Sequence, residues 1–245
     1  MVSKRQIKII TSLSQKKCRK STGLFVAEGK KVIDEFLNSH FELDSLFTTD
    51  KNLFAVDEKV TLISEIELKK ISFLKTPNKA LALFKISEHI QLDLEGLIVA
   101  LDDVRDPGNL GTIIRLCDWF GVKQLVCSES TVDCYNPKVI QATMGSLTRV
   151  DVLYTDLENY LATTKLPVFG AFMDGSNVYQ TNLPKDGILV MGNEANGVSE
   201  AISNQITQKI SIPRFGEIQQ TESLNVAMAT GILLNEFKRS AFYSN

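Results

Sequence analysis

Gly96-Leu97-Ile98-Val99-Ala100-Leu101-Asp102-Asp103-Val104-Arg105-Asp106-Pro107-Gly108-Asn109-Leu110-Gly111-Thr112-Ile113-Ile114-Arg115 decides the fold. Residues 97–101 form a short apolar run and read as a buried strand. A turn of Asp, Pro and Gly follows, then a helix over residues 112–120. The same unit recurs toward the C-terminus. Strands are predicted at 123–127, 150–153, 168–172, 188–191 and 209–212, with helices at 137–144, 156–163, 199–206 and 222–237. Such alternation predicts an α/β fold, a mostly parallel sheet with helices on both faces. Ligands of such sheets gather at the carboxyl ends of the strands.

The chain before residue 96 reads as a smaller mixed α/β unit. Ile7, Ile9, Ile10 and Leu13 give a first helix, ended by the Lys/Ser-rich stretch 14–22. Strands are predicted at 24–27, 43–48, 60–63 and 80–86. One helix carries Val32, Ile33, Phe36 and Leu37 on one face, and a helical run surrounds 65–73. The polar stretch 87–95 is the predicted linker, giving domains 1–90 and 96–245.

Composition sets the outer bounds. With 245 residues, 44% hydrophobic and 23% charged, the chain is ordinary for a globular protein of one or two domains. No apolar run approaches the ~20 residues of a spanning helix. The opening Met1-Val2-Ser3-Lys4-Arg5-Gln6-Ile7-Lys8 lacks the apolar region of a secretory signal. A cytoplasmic protein without a membrane partner is expected. Cys18, Cys117, Cys127 and Cys134 have neither metal-ligand nor disulfide-scaffold spacing, so they read as reduced thiols. Residues 1–31 hold nine cations (Lys4, Arg5, Lys8, Lys16, Lys17, Arg19, Lys20, Lys30 and Lys31) against Glu28 alone. The remainder of a chain of net charge −2 therefore carries about −10. A positive end on an acidic body suits either a phosphate backbone or a solvated helix face.

Three segments place polar residues just after predicted strands. In 101–115, Asn109 can cap the helix or donate to a ligand. Arg115 either pairs with a carboxylate such as Asp118 or Asp102, or holds a phosphate. In Val190-Met191-Gly192-Asn193-Glu194-Ala195-Asn196-Gly197, two glycines bracket a loop whose amides can approach a ligand, with Glu194 at the strand mouth. It matches neither GxxxxGK[ST] nor GxGxxG. In the third, Ile210-Ser211-Ile212-Pro213 ends a strand, and Glu222-Ser223-Leu224-Asn225 enters a helix. Ser223 is a candidate cap, while Asn225 is a poor helix former in a first turn. His40 and His89 lie outside these segments, which points away from a histidine base. No cluster has metal-ligand spacing, so no metal is expected.

In order, spacing and residue type, these segments resemble SpoU/TrmH-type RNA 2′-O-ribose methyltransferases of the SPOUT superfamily, over roughly residues 96–240. The resemblance implies S-adenosyl-L-methionine as cofactor, a deep trefoil knot around 188–235 and a homodimer with sites at the interface. It implies a catalytic set of Arg115, Asn109, Glu194, Ser223 and Asn225. Gly192, Ile212 and Leu224, with Met191, Asn193 and Gly197, fall on the cofactor side. Ser12–Arg19 and Phe25–Val32 look like the ribosomal-protein-like substrate-binding domain that precedes many such enzymes, which makes Lys16, Lys17 and Arg19 candidate RNA contacts. Ribosomal RNA of the large subunit is the leading substrate and transfer RNA the second. A non-catalytic RNA-binding assembly factor and self-protection against a ribosome-targeting antibiotic are the alternatives. Family precedent has Arg115 activate the 2′-hydroxyl, yet an arginine is always protonated near neutrality. It is better suited to binding the adjacent phosphate and stabilising a developing alkoxide, with the phosphate or Glu194 receiving the proton.

Overall fold

The computed structural model describes residues 1–55, 57–87, 95–216 and 223–243. Most of the predicted linker, with His89 and Glu222, lies outside the described residues. Two compact units form. One comprises Met1–His89 with Asp133–Thr148, the other Ile90–Val132 with Arg149–Asn245.

In the first unit, β1 (Leu24–Glu28), β4 (Ala80–Lys85), β2 (Leu43–Thr48) and β3 (Val60–Leu62) pair in that order. The β1–β4 and β2–β4 pairs are antiparallel and the β2–β3 pair parallel. Alternation sorts the side chains. Val26, Leu81 and Leu83 join Ile10 and Leu13 of the first helical segment and Leu68 and Ile71 of α4 (Glu65–Ile71) in one core. Phe25 and Phe84 point the other way and meet Phe36 of α3 (Lys30–Leu37), with ring centroids 5.2 Å and 5.3 Å apart. Residues 133–148, assigned by the strand–helix alternation to the C-terminal half, pack here: Tyr135 lies 4.9 Å from Phe25. Gly145 belongs to the same packing, since a Cβ there would meet the Glu35 side chain at 2.5 Å.

The stretch 14–22 corrects the sequence expectation. Beyond α1 (Lys4–Ser12) a second helix, α2 (Lys16–Thr22), forms and stops at Gly23, whose φ is +67°. It has no apolar face to read, because its anchor is ionic. Arg19 is 2% exposed, donates from Nη1 to the Leu13 carbonyl (2.6 Å) and from Nε to Asp133 (2.9 Å). That burial removes Arg19 from the candidate RNA contacts. Lys16 and Lys17 remain exposed on α2, as do Lys4, Arg5 and Lys8 on α1.

The second unit is the expected parallel sheet. Its strands are β5 (Leu97–Leu101), β6 (Gln124–Ser128), β7 (Asp151–Thr155), β8 (Val168–Asn177), β9 (Gly187–Met191) and β10 (Gln208–Ser211), in the order β10-β8-β9-β5-β6-β7. Every pairing is parallel. All five residues of β5 and of β9 are buried, as strands covered on both faces require. One face packs Ile98, Ala100, Ile188 and Val190 against α7 (Leu157–Thr163) and α8 (Glu200–Ser203). On the other, Phe169 meets Phe237 of α9 (Val226–Tyr243) edge-on at 5.2 Å, and α9 packs on α5 (Pro107–Trp119). The remaining helix, α6 (Pro137–Thr143), belongs to the first unit.

Replacing Arg19 by Met leaves the Asp133 carboxylate uncompensated in a mostly buried position. Chemical denaturation should show a loss of about 3–5 kcal/mol. The Arg19→Met/Asp133→Leu double variant should recover most of it, and equal losses in both would refute an ion-pair anchor.

Candidate active site

The three polar segments meet at the carboxyl ends of β5, β9 and β10. After β5 the chain enters α5 five residues earlier than predicted. Asp106 is the N-cap, accepting the Asn109 amide at 2.8 Å, and Pro107 occupies the first helical position. The cap is therefore Asp106, and the Asn109 side chain is released for another role. Its Nδ2 donates to Glu194 Oε1 at 3.0 Å, and its Oδ1 accepts from Asn225 Nδ2 at 2.9 Å.

After β9 the chain turns back on itself. Asn193 and Gly197 exchange both backbone hydrogen bonds at 2.9 Å, and Asn193 Oδ1 accepts the Ala195 and Asn196 amides. Gly192 is fixed by close approach. A Cβ there would lie 2.2 Å from the Gly197 carbonyl carbon and the Val198 nitrogen, nearer than any side chain permits. The Asn193 side chain shapes this loop and ties it to β5, donating to the Asp103 carbonyl at 2.7 Å. Asp102, buried at the end of β5, accepts the Ser199 amide at 2.7 Å. Asp103 sits at φ +59°, a conformation that aspartate tolerates, and its carboxylate accepts from Arg105 Nε at 2.9 Å.

The third segment also departs from expectation. α9 begins at Val226, and its first amides, from Ala227 and Met228, are taken by Asn225 Oδ1 at 3.0 Å and 3.3 Å. Asn225, not Ser223, is the cap, which explains a poor helix former at this position. One short side chain thus starts α9 and reaches α5.

Together these loops wall a cavity of about 670 Å³. Met191, Gly192, Asn193, Glu194, Gly197, Ile212, Ser223 and Leu224 line it. Ala171, Phe172 and Met173 complete the wall, and nothing in the sequence pointed to them. Pairing of β10 with β8 jumps from Lys209↔Gly170 to Ile210↔Ser176, so residues 171–175 have no partner in the ladder and the first three of them enter the lining. Lys209 Nζ lies 4.5 Å over the Phe172 ring and steadies it.

Glu194 is the electrostatic centre. Partial burial pushes its carboxyl up. The Asn109 amide, its own N–H and the amides of Arg105 (3.3 Å) and Asp106 (3.2 Å) outweigh that and hold it below the ordinary glutamate range. Arg115 stands apart from this cluster. It is exposed on α5, roughly 240° around the helix from Asn109, and does not line the cavity of its own chain. Neither carboxylate weighed as its partner takes it: Asp118 pairs with Arg149 at 2.9 Å, and Asp102 accepts Ser199. Among the described residues the Arg115 side chain makes no hydrogen bond or ion pair.

Glu194→Gln should raise the exchange rates of the Arg105 and Asp106 amides, relative to their intrinsic rates, about 10- to 100-fold. That is the worth of a charge-assisted hydrogen bond of ~1.5–3 kcal/mol. The lowered carboxyl also sets a pH window. Its stabilisation is complete above the ordinary glutamate range and fades as pH falls through the depressed folded value. Protection in the natural chain should drop on acidification and stay flat in the Gln variant; a flat profile in both would remove Glu194 from this role.

Comparison with known proteins places the geometry. Residues 96–235 match the SpoU rRNA Methylase family, and residues 4–82 match the MRM3-like substrate binding domain. A curated relative from Bacillus subtilis (strain 168), the 23S rRNA (guanosine(2553)-2′-O)-methyltransferase RlmP, is 29% identical, with 94% of each chain covered. A solved TrmH-family structure from Porphyromonas gingivalis is 37% identical, with TM-score 0.88, 98% of this chain and 100% of that one covered. An AdoMet-bound rRNA methyltransferase from Sinorhizobium meliloti is 30% identical, with TM-score 0.83, 98% and 97% covered. With more than half its length matched to that one family and the fold shared from end to end, the chain belongs to the SpoU rRNA methylase family.

Proposed function

We propose that the chain transfers a methyl group from S-adenosyl-L-methionine to a ribose 2′-hydroxyl of large-subunit ribosomal RNA, acting as a cytoplasmic homodimer. The observation that carries this reading is the relay Asn225–Asn109–Glu194, which joins three separated loops around one cavity. In this reading residues 1–90 are the RNA-binding domain, with Lys16 and Lys17 as contacts, and residues 96–245 carry the chemistry. No helix among the described residues is long and apolar enough to cross a membrane.

The donor set fits the cofactor. Apolar walls from Ile210, Ile212, Leu224 and Leu233 suit an adenosine, and an ionised carboxylate, Glu194, suits a sulfonium charge. Met191, Gly192, Asn193, Gly197, Ile212 and Leu224 would hold the group, mainly through backbone and apolar contact. When bound it supplies an electrophilic methyl group. The chain's own residues must orient the acceptor and manage one proton. Ser223, Asn109 and Asn225 present hydroxyl and amide groups for the ribose. Glu194, held below its ordinary range and engaged by several donors, is a weak base, yet a phosphodiester is weaker still, so in this reading the 2′-hydroxyl proton passes to Glu194 as the oxygen takes the methyl group.

The homodimer is supported by α5. Arg115 and Trp119, four residues apart, share one exposed face of α5, and Met228 and Leu224 of the α9 region, which packs on α5, are exposed as well. Trp119 is 84% exposed, a large apolar surface to leave in water. A second copy would cover it and bring Arg115 to the neighbouring cavity, where the guanidinium can grip the phosphate next to the reacting ribose. The trefoil knot belongs to the same proposal. It is supported by β10 lying at the sheet edge beyond β8 while the chain returns to α9 against α5.

Mapping 2′-O-methyl sites in RNA from cells with and without the gene tests the substrate: a lost site in 23S rRNA is expected, and a lost site in tRNA would redirect the assignment. Calorimetric titration with S-adenosylmethionine should show binding; none, with RNA binding intact, would leave a non-catalytic RNA-binding factor. Arg115→Lys should slow methyl transfer about 10²–10³-fold, as for loss of one transition-state donor. Trp119→Glu should halve the mass seen in sedimentation to that of the 27.3 kDa chain.

A further inference from the structure

The parallel sheet has a second pole. At the amino ends of β5, β6 and β9 lies a separate cavity of about 590 Å³. A five-residue strand spans about 17 Å, so this cavity is well removed from the first. Three lysines line it. Lys123 and Lys185 are exposed just ahead of β6 and β9, and Lys238 is half-buried on α9. Among the described residues none of their ammonium groups forms a hydrogen bond or an ion pair. The lining also carries two carboxylates, Asp186, which accepts the Gly96 amide at 2.9 Å, and Glu95, which has a partner of its own; the three lysines outnumber them.

A half-buried ammonium without a partner is costly, and like charges gathered around a hole repel. Burial holds Lys238 below the usual lysine range; the Cys117 side chain opposes this and Lys185 reinforces it. An anion between the three ammonium groups would relieve both strains. Phosphate fits best, because flexible lysines act as point charges that can each take a different oxygen.

We infer that this cavity is a second ligand site, in which Lys123, Lys185 and Lys238 hold phosphate groups at the pole opposite the methyltransferase cavity. Two sources carry that chemistry: the backbone of an RNA strand passing this pole, and a free oligophosphate-bearing molecule.

Calorimetric titration of the full chain with inorganic tripolyphosphate tests the site. Binding is expected, weakened at least tenfold in a Lys185→Gln/Lys238→Gln variant and less in Lys123→Gln. Equal affinity in the natural chain and the double variant, or no binding to either, overturns the inference. S-adenosylmethionine titrations run in parallel keep the two cavities distinct: unchanged affinity in the double variant is expected, and this site stands or falls separately from the methyltransferase reading. Salt-dependent affinity for a single-stranded RNA then identifies the source. A slope of log K on log salt reduced by about 1.4, at ~0.7 per lost phosphate contact, assigns the RNA backbone. An unchanged slope with tripolyphosphate binding lost assigns a free phosphate ligand.

Discussion

The amides of Arg105 and Asp106 leave β5 facing one carboxylate, and Glu194 takes both while accepting from Asn109. Loops after neighbouring parallel strands have no ladder to hold them, so their relative placement falls to side chains. Glu194 is suited to this because an ionised carboxylate accepts several donors at once and each charge-assisted bond is stronger than a neutral one. Asn193 and Asp102 repeat the same device at the strand ends, the first to the Asp103 carbonyl and the second from the Ser199 amide. The cavity wall is fixed from the β5 side before any ligand enters.

Backbone proximity adds a second constraint. Gly192 lies where the returning chain at Gly197–Val198 crosses it within a Cβ's reach, and residues 171–175 leave the β8–β10 ladder to make room beside them. Any side chain at Gly192 would push the loop open and release the Glu194 network with it. Steric and electrostatic constraints therefore act on the same few residues, and the site has little freedom to be partly built.

Apolar periodicity made most of the fold legible. Strands β2 and β5 fall on their predicted residues, because runs such as Leu97–Leu101 are apolar throughout and bounded by turn residues. What periodicity could not convey is structure held by polar groups. α2 has no apolar stripe, only a buried arginine whose partner, Asp133, is 114 residues away. The start of α5 looked like a turn because Asp, Pro and Gly serve turns and helix N-termini alike. Asn225 likewise looked out of place until its oxygen met the amides of α9. At the site, residue types announced Asn109, Glu194 and Asn225, whereas the bulge behind Ala171–Met173 arises from a register jump between two strands, which a single sequence does not encode locally.

These polar anchors also explain why the candidate chemistry does without a strong base. A histidine near neutrality would manage the proton, and among the described residues none lines the cavity. Its polar groups are amides, a hydroxyl, the Arg214 guanidinium and a carboxylate already committed to hydrogen bonds. The set is rigid, since the side-chain amides of Asn109, Asn193 and Asn225 are each held at both ends. For transfer of a methyl group from an activated donor, rigidity is the property that matters. Holding acceptor and donor in line can lower a barrier by about 7–11 kcal/mol in favourable cases, more than general base assistance supplies. A relay that fixes three loops against one another is how a chain without a strong base at the site can still favour one oxygen.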